Sequence, residues 1–466
     1  MEETVKFGDY SNIWRSTWTL PFEDKIINPL ALIVFIMLLL LLGLFAVLKP
    51  GLGLRLKLTA FALSLVLPVI FLAFLPVKII FASAFVVLAF GITGALILSS
   101  KEFTHNLIKT VSREPDMLIG RELQKKLLPL KIDEYGNKLN YGYKDTENAF
   151  FYGYYEGAKE VSGDYIDYQD LDGRYYAVIK CDVAGKGIPA AMLMMQVAAM
   201  FLNYFKQWKP NIQGTNIEEI VYQINGFIEK VGFKGRFAAF SLCLFDSLNG
   251  DIHFCNAGDN IIRILDSGEK CIKKITLPQS PAAGVFTNDL VELKGGYNVQ
   301  TLTLKPGDIL LLYTDGIEES RRKLKNRMFK NIAGTEEFGA QRAEKIINAV
   351  MNRQTFSLKK LHDPEGDVSL QFDFSGCKGN MGELIIALIS VEKMFRCYKD
   401  PKAAKDDLVM VDKKVDSFLK KTFLQYQYYC SNTSECPQDN AYIYYTQLKE
   451  DEQYDDLTIL GIQRKL

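Results

Sequence analysis

Long apolar runs fill much of the first hundred positions of this 466-residue chain. Residues 30–48 form an almost unbroken apolar run, which is long enough to cross a bilayer as a helix. A second run, residues 58–98, is interrupted at Pro68 and at 76–78, and its length suits two crossings. A buried helix pair in a soluble core is the alternative. The pattern predicts a transmembrane region at 29–98, with helices at 29–48, 58–76 and 79–98.

Basic residues flank these runs unevenly. Lys49, Arg55 and Lys57 lie in the first connection without an acidic neighbour, and more bases follow residue 98. Residues 1–28 hold five acidic and three basic residues. Because basic loops stay in the cytoplasm, we expect 1–28 to be an extracytoplasmic tail and the rest of the chain to be cytoplasmic. This predicts a multi-pass protein of the cell inner (cytoplasmic) membrane; two crossings are the weaker alternative.

A polar segment with a recurring apolar stripe follows the membrane region. Pro115 divides it, and residues 120–128 read as a helix that stops at Pro129. The pattern predicts a helical linker at 99–129. Its position between membrane and domain favours a homodimer formed through this helix, and a packed connector is the alternative.

From residue 148 onward, short apolar runs alternate with turn residues, which predicts strands within a domain at 130–466. Two hairpins are expected, one with its loop at 170–173 and the other with its loop at 247–250. The run 190–205 is apolar on nearly every side, which predicts a helix buried against a sheet.

Aspartates stand at Gly-containing turns or strand ends at four places in this domain, each beside a strand-like apolar run. A single Asp-Gly turn is often purely structural, but the recurrence indicates that four carboxylates meet around two divalent cations. Oxygen ligands of this kind select Mg²⁺ or Mn²⁺. The four residues are Asp164, Asp182, Asp315 and Asp455.

Composition narrows the chemistry further. Acidic and basic residues balance at 55 each, so net charge provides no attraction to nucleic acid. The three histidines stand outside any motif, which argues against Ser-His-Asp or Cys-His nucleophilic catalysis. The eight cysteines include no CxxC pair, so a zinc site is not indicated. The phosphate-binding pattern GxxxxGK[ST] is absent as well. We therefore expect a mechanism in which carboxylate side chains are the functional groups.

Five motifs stand out in this domain: GAKEVSGDYIDY (157–168), DVAGKGIPAAMLM (182–194), NAGDN (256–260), LKPGDILLLYTDGIEE (304–319) and DDLTILGI (455–462). Together they resemble a known family, the SpoIIE/RsbU-type phosphatases of the metal-dependent PPM superfamily, which are related to eukaryotic type 2C serine/threonine phosphatases. The resemblance implies an α+β fold, an α-β-β-α sandwich with two antiparallel sheets and helices outside.

By the same resemblance, two Mn²⁺ or Mg²⁺ ions would be held by Asp164, Asp182, Asp315 and Asp455 and by the backbone carbonyl of Val183. Asp182 would bridge the ions, and Asp456 is the less expected ligand. The implied function is a membrane-tethered serine/threonine phosphatase that acts on a phosphorylated STAS-type (anti-anti-sigma) regulator in bacterial signalling. A metal-activated water would attack phosphorus without a covalent enzyme intermediate.

The chain departs from the family pattern in three places. Asp259 stands where the family motif has His. No dedicated basic residue for binding phosphate is obvious; Lys186 is the candidate phosphate clamp, with an exposed loop lysine as the alternative. Residues 351–405 form an insertion, and tyrosine-rich 425–447 could form a second; each could be a docking surface or an edge loop. The competing function is a catalytically weak PPM-fold module used for partner binding.

Overall fold

The computed structural model describes residues 18–19, 26–27 and 119–465, apart from 135, 159–160, 233–234, 326–330, 360–368, 400–407 and 437–438. The predicted tail, the three membrane helices and the linker before residue 119 lie outside the described residues, except for a short antiparallel pair, Trp18–Thr19 with Ile26–Ile27. The chain divides into two compact units, Met1–Pro115 and Asp116–Leu466. The second contains every predicted site residue.

The second unit is built from strands in two main sheets and several small ones. The strands of the first half are β1 Tyr141–Asp145, β2 Ala149–Glu156, β3 Tyr165–Asp170, β4 Tyr175–Val183, β5 Ala238–Asp246, β6 Asp251–Ala257, β7 Ile261–Asp266, β8 Cys271–Thr276, β9 Gln300–Thr303 and β10 Ile309–Tyr313. Those of the second half are β11 Arg321–Lys325, β12 Asn331–Glu337, β13 Thr355–Lys359, β14 Ser369–Asp373, β15 Cys397–Lys399, β16 Leu408–Asp412, β17 Thr433–Glu435, β18 Tyr442–Thr446, β19 Leu448–Glu450 and β20 Leu457–Arg464.

Helices cover the outer faces of the main sheets. They are α1 119–127, α2 Ile188–Gln207, α3 Pro210–Gln213, α4 Glu218–Val231, α5 Asn288–Leu293, α6 Ala340–Met351, α7 Met381–Arg396, α8 Lys413–Thr422 and α9 Tyr426–Cys430. Helix α1 ends just before Pro129, as the sequence predicts. Helix α2 confirms the expected buried helix, and it is also the one helix in the described ranges that is long and apolar enough to span a membrane.

Two antiparallel sheets face each other. Sheet one has the order β8-β7-β10-β20-β2-β1, and sheet two has the order β9-β6-β5-β4-β3. Both predicted hairpins are confirmed, as β3–β4 and β5–β6. The last strand of the chain, β20, therefore lies in the middle of sheet one, between β10 and β2.

The two hydrophobic cores explain the layers. Leu310 and Leu312 of β10 point into the core shared by the sheets and by α2 and α4. Leu311 and Tyr313 point into a second core with α6 and α7. Because side chains alternate along a strand, a central strand covered on both faces is apolar throughout, as β10 is. This confirms the α-β-β-α arrangement.

The predicted insertion at 351–405 contributes to the second core. Within it, α7 buries nearly every side chain from Met381 to Arg396 and packs against α6, α8 and sheet one. Gly461 of β20 leaves room for α7, since a Cβ there would lie 2.4 Å from the sulfur of Met381. Residues 381–396 thus form part of the outer layer. Residues 425–447 contribute α9, β17 and β18.

Candidate active site

The strand pairings bring the predicted site residues to the same end of the two sheets. In sheet one, Tyr313 at the end of β10 pairs with Ile459 near the start of β20. Asp315 therefore follows β10 at the edge where Asp455 precedes β20. In sheet two, Tyr165 at the start of β3 pairs with Cys181 near the end of β4, which places Asp164 beside Asp182. The antiparallel pairings thus bring together residues that lie far apart in the chain.

Hydrogen bonds connect the two pairs. Thr314 Oγ1 donates to Asp164 Oδ2 across 2.7 Å, which joins one sheet to the other. Asp456 accepts from the Ser162 hydroxyl at 2.6 Å and from the Ala158 backbone N–H at 2.8 Å. Asp456 is buried and anchors Ala158 and Ser162 on the N-terminal side of Asp164. This agrees with the expectation that Asp455, the half-buried neighbour, is the better candidate ligand.

The carboxylates of this edge repel one another. Burial, together with the charges of Asp315 and Asp455, raises the pKa of Asp182 to about 7. Burial and the charge of Asp182 raise the pKa of Asp164 well above its usual range. Burial, followed by the charge of Glu319, raises the pKa of Asp315. Such shifts show that several negative charges share one partly desolvated space, where a cation would stabilise them.

The donor set fits Mg²⁺ or Mn²⁺ by chemistry, because it consists of carboxylate and carbonyl oxygens. Within the described residues, no three His, Cys, Asp or Glu side chains are already grouped closely enough to hold an ion. The Val183 carbonyl lies against Gly163, where a Cβ would come within 2.8 Å of that oxygen. Only glycine permits this approach of residues 161–164 to the end of β4.

Lys186 directly contacts one of the candidate ligands. Its Nζ is 2.9 Å from Asp455 Oδ2, donates to the Tyr454 carbonyl and lies 4.2 Å from the centroid of the Tyr454 ring. Arg321 stacks on the same ring at 4.3 Å. The Lys186 side chain is only 32% exposed. The position therefore differs from a freely solvated loop lysine, and two cations lie beside the predicted metal site.

Two further residues at this edge were missed by the sequence analysis. Lys180 is buried in β4, and its Nζ lies 2.6 Å from Asp259 Oδ2 and 3.1 Å from the Tyr313 carbonyl. The sequence signal that could have identified Lys180 is a lysine within the otherwise largely apolar strand run 175–181. Gln124 of α1 makes two hydrogen bonds with the Ser162 backbone, donating to its carbonyl at 2.5 Å and accepting from its N–H at 2.9 Å.

Comparison with known proteins shows what this chain resembles. The family profile described as "Stage II sporulation protein E (SpoIIE)" matches residues 172–370, a range that contains Asp182 and Asp315. This part of the chain is therefore similar to a SpoIIE-type phosphatase domain. Protein IcfG of Synechocystis sp. is 26% identical over 280 residues, covering 54% of this chain and 39% of the relative. Phosphoserine phosphatase RsbP of Bacillus subtilis is 26% identical over 165 residues, which cover 35% of this chain and 38% of the relative.

The chain therefore spans about two fifths of the length of these curated relatives. Among solved structures, the PP2C domain of SiaA from Pseudomonas aeruginosa matches with a TM-score of 0.41 and 14% identity, covering 77% of this chain and 98% of that one. The PP2C domain and regulatory fragment of SpoIIE from Bacillus subtilis match with a TM-score of 0.37 and 12% identity. This match covers 69% of this chain and 64% of that one.

Proposed function

We propose that this chain is a membrane-tethered, metal-dependent protein serine/threonine phosphatase whose catalytic domain faces the cytoplasm. Its substrate is a phosphorylated STAS-type regulatory protein in bacterial signalling. The observation that carries the proposal is that Asp164, Asp182, Asp315 and Asp455 lie at the same end of the two facing sheets, where their charges act on one another. The SpoIIE profile and the phosphoserine phosphatase RsbP support the same class of reaction.

In the proposed mechanism, Asp164, Asp182, Asp315, Asp455 and the Val183 carbonyl would hold two Mn²⁺ or Mg²⁺ ions. Bound ions of this kind supply Lewis acidity and a water of lowered pKa. Thr314 and the Asp456 anchor fix the loops that present the carboxylates. Lys186 and Arg321, which both contact the Tyr454 ring, would hold the phosphoryl group of the substrate by charge.

Tethering and assembly complete the proposal. The apolar runs at 29–48, 58–76 and 79–98 anchor the chain in the inner membrane, and the 99–129 linker joins two copies as a homodimer. The STAS-type substrate follows from the resemblance of the five motifs to SpoIIE/RsbU-type phosphatases. Light scattering of the chain with and without residues 99–118 tests the dimer. If the linker forms it, the protein mass of the longer form should be about twice that of the shorter form.

The activity test uses the full 466-residue chain in mild detergent. We expect Mn²⁺-dependent hydrolysis of p-nitrophenyl phosphate and of a phosphoserine STAS protein, and loss of both on chelation with EDTA. Asp182→Asn and Asp315→Asn should each reduce the rate at least about a thousandfold, since one metal ligand is lost. Asp289→Asn, which changes an exposed residue of α5, is the matched control. Full activity of Asp182→Asn would refute the site.

A partner-binding module with weak catalysis is the second candidate. It is favoured by Asp259 in the position of the family His and by the Lys186 ammonium on Asp455. This alternative predicts that the chain binds the phosphorylated STAS protein with unchanged affinity in EDTA and hydrolyses it no faster with Mn²⁺. The same assay with a binding measurement separates the two.

A further inference from the structure

A buried lysine lies directly beneath the predicted metal site. Lys180 and Asp182 are two residues apart on β4, so their side chains point to the same face of sheet two. The Lys180 ammonium crosses the space between the sheets and donates to the Tyr313 carbonyl, 3.1 Å away. Tyr313 ends β10 and stands two residues before Asp315. One cation therefore lies between the turns that carry two candidate ligands.

Asp259 holds this cation from the other side. Its Oδ2 lies 2.6 Å from Lys180 Nζ and 2.8 Å from the Ser241 hydroxyl, which also lies 2.9 Å from the Asp259 carbonyl oxygen. Ser241 is the direct partner of Lys180 in the β4–β5 register. Gly258, with a φ of 76°, fixes the turn before Asp259, and a Cβ there would lie 2.7 Å from Ala282. The ion pair is thus anchored by three segments of the chain.

The charge of Lys180 also acts on the ligands. It lowers the pKa of Asp182 and of Asp315, against the effect of burial. Yet in the described part of the chain, Lys180 forms its ion pair with Asp259 and with neither of these aspartates. A buried ammonium without an anion is costly, so it would turn to the nearest carboxylate if Asp259 lost its charge.

Another lysine of the chain already contacts a candidate ligand. The ammonium of Lys186 lies on the candidate ligand Asp455, at 2.9 Å. An ammonium in this position competes with a metal ion for the same oxygen atoms. We propose that Asp259 is a positioning residue that holds the Lys180 ammonium on the Tyr313 carbonyl, and thereby leaves Asp182 and Asp315 free to bind metal. This inference rests on the metal site of the proposed function.

The test measures Mn²⁺ affinity by isothermal titration calorimetry on the full chain in detergent, without substrate. Asp259→Asn frees the ammonium, so the Mn²⁺ dissociation constant should rise at least about tenfold. Lys180→Met/Asp259→Asn removes the competing cation as well, so the dissociation constant should return to within about threefold of the wild type. A merely structural role predicts the opposite, because the double variant would then bind Mn²⁺ no better than Asp259→Asn.

A further variant and the wild-type chain make the result decisive. Ser241→Ala keeps the ion pair and removes one donor to Asp259, so a rise in the dissociation constant of about two- to threefold is expected even if Asp259→Asn fails to fold. Unchanged affinity in Ser241→Ala and in a folded Asp259→Asn overturns the inference. If the wild-type chain binds no Mn²⁺ at all, the proposed function fails; if it binds Mn²⁺ and hydrolyses phosphoserine while Asp259→Asn binds equally well, only the inference fails.

Discussion

Thr314 donates a 2.7 Å hydrogen bond to Oδ2 of Asp164, a residue that precedes it by 150 positions in the chain. Both residues are buried. Asp164 is itself a predicted metal ligand, and Thr314 directly precedes the predicted ligand Asp315. The bond joins the end of β10 in sheet one to the start of β3 in sheet two. It therefore sets the distance between Asp164 and Asp315 through the packing of the two sheets.

Loss of this donor should destabilise the domain. Thr314→Val keeps the shape of the side chain but leaves a buried carboxylate oxygen without its hydroxyl partner, so we expect the free energy of unfolding in EDTA to fall by about 1–3 kcal/mol. Urea unfolding of the full chain measures this. Thr303→Val removes a similar 2.7 Å bond, to Asp251, at an exposed position, and is the matched control. Equal losses in the two variants would contradict the buried role.

Gly316 allows the turn after Asp315 to pass close to the last motif. A Cβ at this position would lie 2.0 Å from the Asp456 backbone oxygen, which cannot move aside as a flexible side chain would. Gly316→Ala should therefore displace Asp315 or Asp455 and reduce Mn²⁺-dependent phosphatase activity by at least about tenfold.

Gly376→Ala is the control for this substitution, since a Cβ there meets open space. It should retain the activity and the unfolding midpoint of the wild type. Wild-type kinetics in Gly316→Ala would show that the two motifs can separate without loss of the site.

Helix α1 contacts the site through Gln124, whose amide makes both hydrogen bonds to the Ser162 backbone. Ser162 in turn donates to Asp456 and accepts from the Asp164 N–H at 2.9 Å. Gln124→Ala should loosen this loop and raise the Mn²⁺ concentration needed for half-maximal activity by about three- to tenfold. Lys126→Ala, at an exposed position of the same helix, should leave it unchanged. An equal shift in both variants would place the effect in the helix as a whole.

Helix α7 buries a charge pair that ties the late segments of the chain together. Glu392 and Arg396 have side-chain exposures of 0% and 1%, Glu392 accepts from Ser320 at 2.5 Å, and Arg396 donates to Glu450 and to the Asp451 carbonyl. Arg396→Met leaves Glu392 buried without its cation, so the free energy of unfolding should fall by about 3–5 kcal/mol.

The comparison for this prediction is Arg321→Met, which breaks the exposed pair with Glu337 and should change the free energy of unfolding by less than about 1 kcal/mol. Chemical denaturation of both variants decides the point. A small effect of Arg396→Met would show that the segment before Asp455 holds its place without α7.

Local pattern predicted several elements correctly because their physical causes are local. The apolar run of β10 reflects burial on both faces, the loops at 170–173 and 247–250 carry turn residues, and Pro129 follows the end of α1. The role of 351–405 was not readable in the same way. Whether an apolar segment becomes an edge loop or an outer-layer helix depends on the surface that receives it, here α6 and sheet one.

The sequence by itself determined which side chains are available: aspartates at four strand ends, glycines where the backbone must approach, and no histidine motif. Only the tertiary structure decided how they are grouped. The central position of β20 brings Asp455 beside Asp315, and the packing of the two sheets brings Thr314 to Asp164. It also paired Lys180 with Asp259 and Lys186 with Asp455. These contacts join residues far apart in the chain, and sheet register and sheet packing, rather than sequence spacing, set their distances.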